Sequence, residues 1–223
     1  MIPSLVDVIR PTTLIEAPRL GRRLGVKLTI ATETFQHTGS FKFRAAYCVA
    51  ANVPQGRIIT ASSGNFGQAV AYACQRLGKS CIVVMPSTSA SVKVEAVREY
   101  GGVVDLVDVS RKSRKARVDE LSQAHPDAYV ASAFDDPLVI EGNATLGAEL
   151  AALAAKFDVV IAPIGGGGLT SGVIRGLRES GAKFQVFGAE PLLGNDAARS
   201  LRAGHIVANE SEPQTIADGA RTL

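Results

Sequence analysis

Three short segments of this sequence carry residues whose type and spacing suit chemistry. In Thr38-Gly39-Ser40-Phe41-Lys42-Phe43-Arg44 a turn feeds a stretch of helical pattern running toward Asn52. A lysine near a helix N-terminus feels the unfavourable end of the helix dipole, and burial beside an aromatic ring would further favour its neutral, nucleophilic form. Taken alone, a lysine is ordinarily a surface residue, so Lys42 needs support from elsewhere. In Gly165-Gly166-Gly167-Gly168-Leu169, between an apolar run and a helical stretch, four glycines let backbone amides converge on one point. The following helix N-terminus adds partial positive charge, and an anion such as phosphate is the natural occupant. Neither nucleotide signature fits: Gly168 is followed by Leu169-Thr170 rather than Lys-Ser/Thr, and the third glycine of the dinucleotide fingerprint is replaced by Thr170 or Ser171. In Ser62-Ser63-Gly64-Asn65-Phe66-Gly67-Gln68 small hydroxyl and amide residues lead from a strand into a helix, either as a polar cradle or as simple N-capping by Ser63 or Asn65. Ala61 stands where the Gly-x-Ser-x-Gly turn of a serine hydrolase needs glycine.

Elements that could position these segments are legible in the pattern. Short runs rich in β-branched residues occur at 28–32, 57–61, 81–85, 103–108, 129–132, 159–164 and 185–189. Alanine-rich stretches of helical length lie between them, at 66–77, 91–100, 112–124, 141–156 and 169–180. The alternation predicts an α/β fold with mostly parallel sheet covered on both faces. Gly78, Gly101 and Gly181 fall where helix C-terminal caps want positive φ. Five bases in the seven residues 111–117 read as a solvated helix face, since no aromatic residues interleave with them.

Composition excludes several classes of function. The 223 residues are 46% hydrophobic and 20% charged, a globular balance, and 24 Lys and Arg against 21 Asp and Glu leave +3. That is too near neutrality to argue for nucleic acid or an anionic membrane as partner. Cys48, Cys74 and Cys81 form no Cys-x-x-Cys pair and read as reduced thiols of a cytosolic protein. The N-terminus lacks a secretory pattern, and the apolar window 159–174 is interrupted by Pro163 and the glycines and is too short to span a bilayer.

Together the three segments resemble the fold-type II pyridoxal-phosphate enzymes, in the branch of threonine and serine dehydratases and serine racemase. Ser40-Phe41-Lys42-Phe43-Arg44 looks like the cofactor-lysine motif, Ser62 to Gln68 like the Ser-Ser-Gly-Asn-x-x-Gln loop, and Gly165 to Leu169 like the tetraglycine phosphate loop. Glu141-Gly142-Asn143-Ala144-Thr145 is similar to a Gly-x-Gly-Thr stretch, with Ala144 for the second glycine. The resemblance implies two open parallel-sheet domains of the tryptophan synthase β-like architecture, a small one at 58–134 and a larger one from 1–57 and 135–223, with the cofactor between them. It implies that Lys42 carries pyridoxal 5'-phosphate as a Schiff base and serves as base, that Asn65 meets the ring hydroxyl, and that Gly165, Gly166, Gly167, Gly168 and Leu169 bind the phosphate. Ser62, Ser63 and Asn65 would receive the carboxylate of an amino-acid substrate. Glu190, the Gly194 carbonyl and Asp196 would supply oxygen ligands for Mg²⁺ or Ca²⁺, ions that prefer such donors.

The activity so implied is β-elimination from L-threonine or L-serine to a 2-oxo acid and ammonia, in a cytoplasmic enzyme of amino-acid metabolism, as a homodimer. Racemisation is the alternative, because Ser63 matches a serine that in serine racemase reprotonates the carbanion from the face opposite the lysine. Phe66 replaces a histidine of many members and Phe134 a polar pocket residue, changes that bear on substrate choice. Family catalytic domains also continue beyond the segment resembled by 216–223, adding strands and the Ser or Cys that meets the pyridine nitrogen. By that measure the larger domain is incomplete at its C-terminus, and a non-catalytic relative that binds cofactor or a partner is the remaining alternative.

Overall fold

A computed structural model describes residues 3–62, 64–153, 157–211 and 213–220. The chain divides into two compact units, 1–131 and 132–223.

The first unit opens with α1 (Leu5–Val8) and an antiparallel pair, β1 (Thr13–Glu16) and β2 (Thr29–Thr32), with Thr13 opposite Thr32. Between them α2 (Pro18–Leu24) starts on Pro18 and ends at Gly25, whose φ of 70° closes the helix in the left-handed region. This pair is the antiparallel exception in an otherwise parallel set, as the expectation of mostly parallel sheet allows. A single helical turn at His37–Gly39 then delivers the chain to α3 (Lys42–Asn52), which is buried from Phe43 to Ala50.

A four-stranded parallel sheet follows in the order β5-β4-β3-β6, from β3 (Arg57–Ala61), β4 (Ser80–Pro86), β5 (Val103–Val107) and β6 (Tyr129–Ala131). Side chains alternate across a strand, so the sheet presents two apolar faces. Ile59 and Val84 pack on Val118 and Leu121 of α6 (Arg114–Ala124). The opposite face takes α4 (Asn65–Leu77), where a Cβ on Gly67 would stand 2.7 Å from Val83 Cγ1, so glycine sets how closely helix and sheet approach. α5 (Ser91–Glu99) connects β4 to β5 and packs on both α4 and β5.

The basic run leads into α6, and four of its five bases form ion pairs: Lys115 with Asp119 at 2.9 Å, Arg117 with Asp105 at 2.8 Å, Arg111 with Asp108 at 3.4 Å, and Lys112 with Glu120. The three cysteines are buried, and none of them forms a disulfide among the described residues. Among the described residues no helix is long and apolar enough to cross a membrane.

In the second unit α7 (Pro137–Ala151) precedes a parallel pair, β7 (Val159–Pro163) and β8 (Gln185–Ala189), joined through α8 (Gly168–Glu179). The expected helix at 141–156 begins four residues earlier, because Asp136 caps it through Leu138 N at 2.8 Å and Pro137 occupies its first position; residues 154–156 lie outside those described. α7 and α8 touch backbone to backbone: a Cβ on Gly176 would stand 2.0 Å from the Ala144 carbonyl. Leu146, Leu150, Val173 and Leu177 form the core of this contact, and Val160 and Val186 of the strands pack against it. α9 (Asp196–Ala203) follows β8, and a 3-10 turn at Asp218–Ala220 is the last described element.

Candidate functional site

Lys42 is the first residue of α3, directly after a turn held by buried polar groups on both sides. Gln36, 4% exposed, accepts from Arg10 N at 3.0 Å and His37 N at 3.1 Å and donates to Arg10 O at 2.8 Å. Arg44 is fully buried and paired with Glu33 through Nε at 2.7 Å and Nη2 at 3.0 Å; Nη2 also reaches Thr12 Oγ1 at 3.0 Å. Two-point pairing of guanidinium with carboxylate fixes direction as well as distance, and here it ties the first turn of α3 to the β1–β2 region. Neither Gln36 nor Arg44 was assigned a part from sequence. A lone cation in the apolar run 43–50 was the available signal for Arg44.

The Lys42 ammonium lies 5.2 Å from the centre of the Phe41 ring and 5.5 Å from that of Phe66. Burial lowers its pKa from 10.5 to about 8, because the low-dielectric surroundings penalise the charged form. The expectation of a neutral-leaning lysine beside an aromatic ring is thereby met in its physical cause. Phe66 brings the first turn of α4 to the same place.

That turn begins at the end of β3. Ser62 is buried, and its hydroxyl oxygen accepts from Gly64 N at 3.3 Å and Gly67 N at 3.0 Å, while its own amide donates to Val84 O at 3.1 Å. Among the described residues the hydroxyl that satisfies the start of α4 is therefore that of Ser62, with Gly64 as the cap residue and Asn65 as the first, exposed residue of the helix. Asn65 is not the cap that sequence allowed, since its own backbone is already helical. Two accepted bonds leave the Ser62 O–H hydrogen free to donate. Lys93 of α5 also comes to this loop: a Cβ on Gly64 would stand 4.0 Å from its Nζ. Nothing in the local sequence marks Lys93 for this position. Ser63 lies outside the described residues.

In the second unit residues 165–168 turn from β7 into α8. Gly167 has φ +84°, and a Cβ on Gly165, Gly166 or Gly168 would stand 2.8 Å from Gly219 O, 2.2 Å from Phe134 Cγ or 2.3 Å from Phe134 O. Only glycine satisfies all four positions. The amides of Gly168 and Leu169 open α8, so no carbonyl of that helix is available to them, and they offer an anion the partial charge of the helix end. Phe134 presses on this loop, so its ring and backbone help set the loop's path. Asn143, 1% exposed, donates through Nδ2 to the Gly168 carbonyl at 3.1 Å and so holds the loop from α7.

Comparison with known proteins gives these features a common setting. Residues 5–223 match the family model described as "Pyridoxal-phosphate dependent enzyme". The chain belongs to this family. It is 36% identical over 215 residues to the β-hydroxyaspartate dehydratase of Paracoccus denitrificans, covering 95% of this chain and 68% of that protein. The crystal structure of a T.th. threonine deaminase superposes with a TM-score of 0.90 at 39% identity, over 98% of this chain and 72% of that one. Maize serine racemase does so with a TM-score of 0.90 at 30% identity, over 98% and 67%. The fold is accordingly that of the fold-type II pyridoxal-phosphate enzymes.

Donor chemistry in this pyridoxal-phosphate family member fits the cofactor. The amides of 165–169 suit a phosphate and the amine of Lys42 suits an aldehyde. Ser40 Oγ, in the turn just before Lys42, is buried with no hydrogen-bond partner among the described residues. The residues suggested for a metal ion sit after β8. Glu190 accepts from Ala197 N at 3.1 Å and Ala198 N at 2.8 Å, and Asp196 accepts from Asn209 Nδ2 at 2.9 Å. Gly194 is buried against Pro213. Both Glu190 oxygens thus accept from the first turn of α9, and carboxylate and carbonyl oxygens are the donor type that Mg²⁺ or Ca²⁺ takes. Among the described residues no group of three or more His, Cys, Asp or Glu is placed to hold a metal.

Proposed function

We propose that this chain catalyses β-elimination from L-threonine or L-serine, releasing a 2-oxo acid and ammonia. The observation that carries the reading is the Lys42 amine at the start of α3, flanked by Phe41 and Phe66 and drawn by burial to a pKa of about 8. An amine of this kind is neutral in a fraction of about one-fifth near physiological pH, far more than an ordinary lysine, and both covalent attachment and proton abstraction use that neutral form.

Pyridoxal phosphate supplies an electron sink that makes the α-proton of an attached amino acid removable. Lys42 is assigned the cofactor's aldehyde carbon and then, once freed by substrate, the proton on Cα, which Nζ receives. Asn65 is assigned the ring hydroxyl, and the amides of Gly165, Gly166, Gly167, Gly168 and Leu169 the phosphate. The substrate carboxylate is assigned to the Ser62 hydroxyl, Ser63 and the first amides of α4, where hydrogen-bond donors and the helix end favour negative charge. Glu190, the Gly194 carbonyl and Asp196 are assigned to a divalent cation. The same reading carries the two-domain division at 58–134, a cytoplasmic setting and a homodimer.

The test is release of 2-oxo acid from L-threonine and L-serine by the purified chain with pyridoxal phosphate, beside Lys42→Ala. Production that depends on Lys42 supports elimination. Loss of optical purity in the remaining amino acid without 2-oxo acid would favour racemisation. Stoichiometric cofactor with neither reaction would leave a binding protein.

A further inference from the structure

The turn before Lys42 contains two groups that the protein itself leaves unsatisfied. Thr38 Oγ1 and Ser40 Oγ are buried without a hydrogen-bond partner, two of six such side-chain atoms among the described residues. Ser40 is 7% exposed. Thr38 has φ 60°, the one positive φ of a non-glycine residue among the described residues, and Gly39 follows at φ 72°. A β-branched residue in the left-handed region is strained, and such strain persists only where the surroundings over-determine it. They do so here: Gly39 N donates to Gln36 O at 2.9 Å, Gln36 is bonded to Arg10 through N and O, and Arg44 locks the helix that follows. Relaxing the turn toward a protein partner would mean breaking those buried bonds. An orphaned buried hydroxyl costs free energy unless something else meets it.

We propose that Thr38 and Ser40 are cofactor-positioning residues, whose hydroxyls are kept free of protein partners by this strained turn and hydrogen-bond pyridoxal phosphate when Lys42 holds it. The proposal rests on the assignment of Lys42 above and adds two residues to the binding apparatus. The expected signature is opposite in the two states of the protein. Without cofactor, removing a buried hydroxyl that has no partner is neutral or stabilising; with cofactor, the same change removes a bond.

The experiment combines melting of the cofactor-free chain with absorbance titration by pyridoxal phosphate in the absence of substrate, for wild type, Ser40→Ala and Thr38→Val. The valine keeps the shape and the strain of threonine and lacks only the hydroxyl, and Ser40→Thr serves as the conservative control. We expect both hydroxyl-deleting variants to melt at or above the wild-type temperature without cofactor, and each to bind pyridoxal phosphate about tenfold more weakly. Ser40→Thr should restore most of the affinity. Unchanged affinity in both variants, or a cofactor-free melting temperature that falls in both, would overturn the proposal while leaving Lys42 in place. A wild-type chain that binds no pyridoxal phosphate would overturn the assignment of Lys42 and this inference together.

Discussion

The turn that carries Lys42 is built from side chains, whereas the loop between β7 and α8 is built from backbone. Around Lys42, Gln36, Glu33 and Arg44 form a buried polar frame, and its geometry depends on what each group accepts or donates. At 165–168 the polar material is main-chain amide, and what matters is that no Cβ intrudes. The two regions should therefore fail in different ways. A side-chain frame breaks when a charge loses its partner, and a backbone cradle breaks when a methyl group is added.

The largest effect on stability is expected at the frame. Arg44→Met leaves Glu33 buried without its cation and should cost about 3–5 kcal/mol, read from the denaturant midpoint. Adding Glu33→Gln should recover part of that loss, because no lone charge then remains; a double variant no better than the single one would show that packing of the arginine stem dominates.

Next come the glycines. Gly168→Ala and Gly166→Ala should each cost about 1–3 kcal/mol through overpacking. The two have different neighbours, backbone of Phe134 for Gly168 and its ring for Gly166. Phe134→Ala should therefore rescue part of Gly166→Ala and none of Gly168→Ala. Equal rescue would mean that the loop moves as a unit and that the contrast drawn here is too sharp.

The third effect is electrostatic and is read as a slope against pH. In the unfolded chain Lys42 titrates near 10.5 and in the folded one near 8. Between these values the unfolded state binds the proton that the folded state has lost, so stability of the cofactor-free chain should rise as pH increases from about 8 to 10.5. Below pH 8 the whole cost of burying the charge is present. Lys42→Met should flatten that slope; an equal slope in the variant would place the proton elsewhere.

Much of this was legible in the residues. The strands of the four-stranded sheet could be read from β-branched runs because both its faces are covered, and the tetraglycine loop because its chemistry and its steric demand coincide; in the β7–β8 pair the expected cover on both faces is not met, since Ile161 and Phe187 are 68% and 54% exposed. β1 was not visible: Thr13–Glu16 is four residues long and half exposed, with too little pattern to separate from a loop. The short α2 carries Gly21 and two arginines in its last turn, which hides its period. Within the site, Lys42 and the Ser62 loop stand in local motifs. Arg44 and Gln36 are held by partners 11 and 26 residues away, and Lys93 approaches Gly64 from 29 residues away; of the three only Arg44, a lone cation in an apolar run, leaves a local trace.

The most direct test of the central assignment is borohydride reduction of the chain after equilibration with pyridoxal phosphate, followed by mapping of the modified peptide. A pyridoxyl group on Lys42, absent from Lys42→Ala, is the predicted result. A stoichiometric adduct on another lysine, or one that survives in Lys42→Ala, would contradict the account.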